Sequence, residues 1–295
     1  MKKFDNYLVG PLTFDYDQFR DNRPNPLLGG PTLYSGYACL AGGRQIGAVA
    51  TIAPEDAYIT QPFYMRDLTL LPTEHTTSVL VHYESEDKEQ RTMTVRGMSR
   101  TMTPDDVPAV DAQVYQMMGI FRGQLDDALF AELSARGRLA CDLQGYLRCA
   151  DGDAVVFRDW PEKKQYLPYV TYLKADAAEA AVITGTQDRA EAARILHAWG
   201  ASEVLITHNS EVLVYDGARI YTCPLRPRNL FGRTGRGDTT FASYITERAD
   251  HSVADALLYA SALVSLKMET FGPFKGTRGD VEAYMRAFYP DYCAL

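Results

Sequence analysis

Short apolar runs that alternate with amphipathic helical stretches restrict this chain to a small set of architectures. Strand-like runs fall at Tyr7-Leu8-Val9, Ile46–Ile52, Ser78–Tyr83, Val114–Met118, Leu139–Leu143, Val170–Leu173 and Glu203–Thr207. Most have the length and the β-branched content of a buried strand. Between the later runs the spacing predicts helices over Gln124–Ala135, Ala177–Thr184 and Arg189–Trp199, with more after Asp238 and over Val253–Glu269. In the last of these Val253, Ala256, Leu257, Ala260 and Val264 share one face, a core-packing pattern. Such alternation implies βαβ units. The expected fold is therefore α/β, a three-layer sandwich with a mostly parallel central sheet.

One stretch departs from this rhythm. Tyr58–Thr103 reads as Thr-, Tyr- and Met-rich alternating segments around the charge cluster Glu84-Ser85-Glu86-Asp87-Lys88. Together with residues 11–35 it predicts a small β-sheet lid on a single domain spanning 1–295, placed over a site at the strand ends. The uncharged run Pro24–Gly43 carries three prolines and five glycines, so it reads as a loop leading into a helix and not as a membrane span.

Composition narrows the function classes. With 46% apolar and 23% charged residues the chain is an ordinary globular one. Thirty Lys and Arg against 38 Asp and Glu leave a net charge of −8, which argues against a general nucleic-acid partner. The five cysteines are scattered and never spaced Cys-x-x-Cys, as expected of reduced thiols and not of a structural zinc site. Met1-Lys2-Lys3 is followed by no apolar run of secretory length, so a cytoplasmic protein without a membrane partner is expected.

The stretch richest in chemistry is Gly232-Arg233-Thr234-Gly235-Arg236-Gly237-Asp238-Thr239-Thr240, three glycines running into a helical pattern. A helix start of this kind gathers unpartnered N–H groups and the positive end of the helix dipole, a place for a phosphate or a developing oxyanion. The segment nearly spells a P-loop, but Asp238 stands where the lysine belongs, and an acid there repels phosphates. Beside an oxyanion hole the same acid is placed to take a proton from an attacking hydroxyl; at a helix start it serves equally as an N-cap. No Gly-x-Ser-x-Gly elbow and no His-x-x-x-His pair occur, so neither a serine hydrolase nor a histidine metal site is indicated.

This segment resembles the C-terminal signature of the ribokinase family, the PfkB-type carbohydrate and nucleoside kinases. The resemblance makes Asp238 the general base and the amides of Gly235, Arg236 and Gly237 the anion hole. Further stretches follow in family order. Val9-Gly10-Pro11-Leu12-Thr13-Phe14-Asp15 is similar to the first strand with its hydroxyl-binding acid, Asp15, and Gly29-Gly30-Pro31-Thr32-Leu33-Tyr34 to the Gly-Gly turn of the acceptor site. Cys141-Asp142-Leu143-Gln144, with Arg148 further on, resembles the Asp-x-Asn-x-Arg strand end. Asp176-Ala177-Ala178-Glu179 is similar to Asn-x-x-Glu, which implies magnesium near Glu179 and Asp176. Thr207-His208-Asn209 and Met268–Pro273 fall where members approach the nucleotide, implying donor contacts at Thr207, Asn209 and Gly272.

As implied by this resemblance, the protein is an ATP- and magnesium-dependent kinase acting on a hydroxyl of a small sugar, polyol or nucleoside, and its lid pairs with a second copy in a homodimer. Two rivals stay open: a ribokinase-like binder that senses a sugar or nucleotide, and a kinase with a donor other than ATP. Val212 and Asn209 stand where the family has glycines, which motivates both. Arg236 either adds a charge-assisted contact to a phosphate or is a solvated loop residue.

Overall fold

The alternation is realised as a nine-stranded sheet with helices on both faces and a second, six-stranded sheet beside it. The computed structural model describes residues 2–19, 22, 25–60, 67–84 and 91–293. The chain enters the main sheet with β1 (Lys3–Val9), leaves it for β2 (Thr13–Phe19) and β3 (Asn25–Gly29), and returns through α1 (Pro31–Ala41) to β4 (Ile46–Ile52) and β5 (Leu68–Pro72). A second excursion forms β6 (Ser78–Tyr83) and β7 (Arg91–Gly97) before β8 (Asp111–Met117), α2 (Ala128–Arg136) and β9 (Arg138–Asp142). The short α3 (Gln144–Leu147) leads to a third excursion, β10 (Arg148–Asp151) and β11 (Ala154–Phe157). Then follow α4 (Lys163–Tyr166), β12 (Tyr172–Asp176), α5 (Ala177–Thr184), α6 (Arg189–Ala198), β13 (Glu203–Thr207), β14 (Glu211–Tyr215) and β15 (Ile220–Pro224). The last elements are α7 (Arg236–Arg248), α8 (Val253–Met268), α9 (Arg278–Phe288) and α10 (Pro290–Cys293).

The main sheet runs β15-β14-β13-β12-β9-β8-β1-β4-β5, all parallel except β14, which is antiparallel to both neighbours. Strand side chains alternate between two cores, as the two-residue period requires. Tyr115, Met117, Leu139, Cys141, Leu173, Val204 and Ile206 face the core closed by α2, α5 and α6. Val114, Ala140, Tyr172, Leu205 and Val212 face the core closed by α7, α8 and α9. The layering is therefore helix, sheet, helix.

Several boundaries match the sequence reading: Ile46–Ile52, Ser78–Tyr83, Glu203–Thr207 and Ala177–Thr184 are elements as expected. Others differ for identifiable reasons. The helix expected from Gln124 begins at Ala128, because the buried Gln124 side chain accepts from the amides of Ile120 and Phe121 and donates to the hydroxyls of Thr77 and Ser99. The strand expected over Val170–Leu173 shifts to Tyr172–Asp176, since a 3₁₀ turn over Leu167–Tyr169 occupies the approach. The stretch Pro24–Gly43, expected as a loop leading into a helix, does lead into α1, but its approach is the strand β3; Pro24 lies outside the described residues.

The small sheet, ordered β10-β11-β7-β6-β2-β3, draws on 11–35 and 58–103 but is bounded differently. Within 58–103, β5 pairs parallel with β4 and extends the main sheet, while β10 and β11 join the lid from a part of the chain that carried no lid signal. Of the cluster Glu84–Lys88, only Glu84 is among the described residues. Cys39, Cys141, Cys149 and Cys223 are buried free thiols. No described helix is long and apolar enough to cross a membrane.

Candidate active site

The N-cap position of α7 falls on Gly235, which holds the left-handed conformation at φ 75°. Two constraints demand glycine there. The positive φ is one; the other is the Tyr34 ring, whose carbons a Cβ would meet at 2.2 Å. Gly235, Arg236 and Gly237 line a cavity of about 380 Å³, so the first turn of α7, with the positive end of its dipole, opens onto it, while the Arg236 amide donates to the Arg233 carbonyl at 3.2 Å. Asp238 lines the same cavity as the third residue of the helix, one turn too far along to be its N-cap. Burial pushes its carboxyl up to about 6, aided by the charge of Asp142 and opposed by Lys174, Arg148 and Lys267. A carboxylate ionised near neutrality in a poorly solvated place is suited to accept a proton.

Asp15 lies on β2 in the small sheet, within the stretch 11–35 expected to form it. Its Oδ2 accepts from the Thr13 hydroxyl at 2.5 Å and its Oδ1 from the Val79 amide at 2.8 Å. Burial raises its carboxyl to about 6 against those two hydrogen bonds. The turn from β3 into α1 passes so close that a Cβ on Gly30, at φ 94°, would sit 2.9 Å from the Thr13 nitrogen. Gly30 lines the cavity and Gly29 stands behind it, against the Thr13 hydroxyl and Asp15 Oδ2. Tyr34 stands between the two carboxylates: burial first, then the charges of Asp238 and Asp15, push its phenol well up. Val79, Val81, Tyr83, Met93 and Ile120 close this side with apolar and aromatic surface.

Cations crowd the other side. Arg148, which opens β10, donates to Gln144 at 2.9 Å, and its charge acts on both Asp15 and Asp238. Lys174 Nζ reaches Asp142 at 2.9 and 3.1 Å and Glu179 at 3.6 Å; burial works to lower its pKa, but Asp142, Glu179, Asp176 and Asp238 override it and raise it strongly. Asp176 and Glu179 form a capping box at the start of α5, each accepting the other's amide, at 2.8 and 2.7 Å. Asp176 lines the cavity; Glu179 lies fully buried behind it, its carboxyl raised by burial. Thr207 ends β13, and Asn209 sits in the hairpin to β14. Asn209 Oδ1 accepts from Arg236 at 2.9 Å and from Arg233 at 3.3 Å. The arginine is thus engaged at the cavity wall. Val212 is buried in the core opposite Thr207. Gly272 does not line the cavity; it follows the end of α8 with φ 77° and open space around it.

Of the residues singled out from sequence, Asp15, Gly30, Tyr34, Asp176, Thr207, Asn209, Gly235, Arg236, Gly237 and Asp238 therefore share one cavity. Sequence reading passed over Lys174, Arg233 and Lys267. Two carried a signal: a lysine inside the apolar strand Tyr172–Asp176, and another on the buried side of α8.

Residues 67–276 match the model of the pfkB family carbohydrate kinases, and the chain belongs to that family. A pyrophosphate-dependent kinase in the ribokinase family, solved as a sulfate complex, is similar over 94% of this chain and 99% of its own, at 28% identity and a TM-score of 0.87. A pyrophosphate-dependent kinase of that family complexed with a pyrophosphate analogue and myo-inositol is similar at 27% identity and a TM-score of 0.85, over 94% and 99% of the two chains. Ribokinase of Arabidopsis thaliana, with ribose and ATP, shares the fold at 17% identity and a TM-score of 0.74, over 97% and 99%. Among curated proteins, the cytidine kinase of Thermococcus kodakarensis is 43% identical over 70 residues, 23% of this chain; the match spans a quarter of that relative's length.

Proposed function

We propose that the protein transfers a phosphoryl group from pyrophosphate to a hydroxyl of a small neutral polyol of the inositol kind, with Asp238 as general base. The observation that carries the donor assignment is the convergence of Arg233 and Arg236 on Asn209. It ties the β13–β14 hairpin to the α7 loop and keeps two guanidinium groups on the wall of the cavity that Lys174 also lines, a charge complement for a short anion. The likeness to pyrophosphate-dependent kinases at TM-scores of 0.87 and 0.85 supports the same reading. For the acceptor, Asp15 accepts hydrogen bonds from hydroxyls and repels anions, while the residues of the small sheet offer apolar surface to a ring.

In the transfer, the acceptor oxygen bonds to phosphorus as the bridging P–O bond breaks. Its proton passes to Asp238 Oδ, and orthophosphate leaves. The amides of Gly235 and Gly237 hold the transferring oxygens, and Arg233, Arg236 and Lys174 offset the charge on the leaving phosphate. Magnesium fits the donor set modestly: Asp176 lines the cavity, and Glu179 Oε1 is a buried carboxylate oxygen without a hydrogen-bond partner among the described residues. These two residues would hold it together with the donor's own oxygens, as is usual for this ion, which there supplies charge neutralisation. A base beside an anion hole argues against a mere sensor, which has no use for it.

A nucleotide donor is the second reading. It is favoured by Phe231 and Phe271, 62% and 74% exposed and stacked at 6.3 Å just outside the loop, a surface fit for a purine. Formation of the phosphorylated acceptor is to be followed with pyrophosphate, ATP, ADP or GTP as donor, each paired with myo-inositol, ribose and cytidine. Turnover with pyrophosphate and myo-inositol well above the other pairs is expected. Turnover with nucleotides and none with pyrophosphate would overturn the donor assignment.

A further inference from the structure

Lys267 is fully buried on α8, in a helix whose neighbouring buried positions are mostly apolar. Its ammonium donates to the Gly232 carbonyl at 2.6 Å and to the Thr234 carbonyl, and lies 4.9 Å from the centre of the Tyr34 ring. Among the described residues no carboxylate lies within ion-pair distance of it; burial pulls its pKa down to about 7, against the charge of Asp238 acting from further off. A buried ammonium is costly unless its donors are satisfied, and here two main-chain carbonyls of the anion-hole loop and an aromatic face do so. The direction of those carbonyls matters. In a trans peptide the C=O and the following N–H point opposite ways in one plane. Holding the Thr234 carbonyl toward α8 therefore aims the Gly235 amide the other way, toward the cavity that Gly235 lines.

We propose that Lys267 is a positioning residue for phosphoryl transfer: its ammonium pins the Gly232 and Thr234 carbonyls, and so presets the Gly235 amide, with Tyr34 packed over it, to receive the phosphoryl oxygens. The inference rests on the reading of this loop as the phosphoryl cradle. It adds a resident cation that touches neither substrate.

The test compares wild type with Lys267→Met, Lys267→Ala and Lys267→Arg, using calorimetric binding of pyrophosphate and of sulfate, steady-state kinetics with the best substrate pair, and thermal melting. In the Met variant, which fills the same space without charge, turnover falls about 100-fold, the order of one lost oxyanion donor. Anion affinity falls with it, while the acceptor KM moves less than about threefold. In the Ala variant ammonium chloride restores turnover saturably by at least about tenfold, and tetramethylammonium, too large for the gap, does not. The Arg variant keeps the charge and folds even where Met or Ala does not; its turnover drops while its acceptor KM holds. Wild-type anion binding and turnover in a folded Met variant would overturn the inference alone, as would an Ala variant that is folded, inactive and indifferent to ammonium. If wild type itself binds neither pyrophosphate nor sulfate, the cradle reading fails first.

Discussion

Replacing Asp238 by Asn keeps the side chain's shape and removes its proton affinity, so the variant separates chemistry from architecture. A general base contributes about 10²- to 10⁴-fold to a rate, or about 2.7 to 5.4 kcal/mol of barrier. Turnover should fall by that factor. The substitution also removes a negative charge from beside Lys174, Arg148 and Lys267, so the KM of an anionic donor should stay level or fall. Stability supplies an independent sign. The Asp238 carboxyl is raised from 3.8 to about 6 in the fold, so the stability it contributes is fully present below pH 3.8 and is lost as pH rises through 6. At pH 8 wild type carries a buried charge that the Asn variant lacks, and the variant's Tm should equal or exceed that of wild type, with the gap closing toward pH 4. Wild-type kcat/KM should climb with pH and level off above about 6 as the base ionises. The assays are phosphate release across pH 4.5–9 in steps of roughly half a unit and differential scanning fluorimetry in the same buffers. Turnover within about tenfold of wild type, or a melting loss worth about 1 kcal/mol as for a deleted helix cap, would refute the argument.

Arg236→Ala should raise the donor KM about 10- to 100-fold, the value of one charge-assisted hydrogen bond, and leave the acceptor KM unchanged in initial-rate kinetics. Asp15→Asn should do the reverse, raising the acceptor KM by a similar factor with the donor KM untouched, since Asp15 faces the lid side of the cavity. Gly235→Ala meets both a positive φ and the Tyr34 ring, so chemical denaturation should show a loss of at least about 1–2 kcal/mol, with turnover down more than tenfold. Chelation by EDTA should stop turnover without lowering Tm, because no cluster of three or more His, Cys, Asp or Glu among the described residues could hold a metal by itself.

How far the sequence reading reached depended on how local each signal was. The strands of the main sheet are near-continuous apolar runs because both their faces are covered, and this pattern needs no partner to be recognised. The α7 loop was legible for the same reason: glycine spacing and an acid are local facts. Asp15 was legible because a glycine and proline at 10 and 11 break β1 from β2, which marks the passage from the main sheet into the small one. β10 and β11 were missed since four-residue strands carry too little periodicity, and their pairing with β7 is a long-range choice. Lys174 and Lys267 were passed over because a lone lysine in an apolar element looks like an exposed position. Their meaning lies in Asp142 and in the loop carbonyls, which come from elsewhere in the chain.

The small sheet is stitched to the large one by repeated passage: the chain crosses into it between β1 and β2, β5 and β6, and β9 and β10, and returns after β3, β7 and β11. It is therefore no detachable cassette. Recombination cannot swap it for another family's cover in a single cut, and a truncated version would carry away pieces of the scaffold with it. New acceptor preferences in such a molecule must arise by exchanging side chains in place.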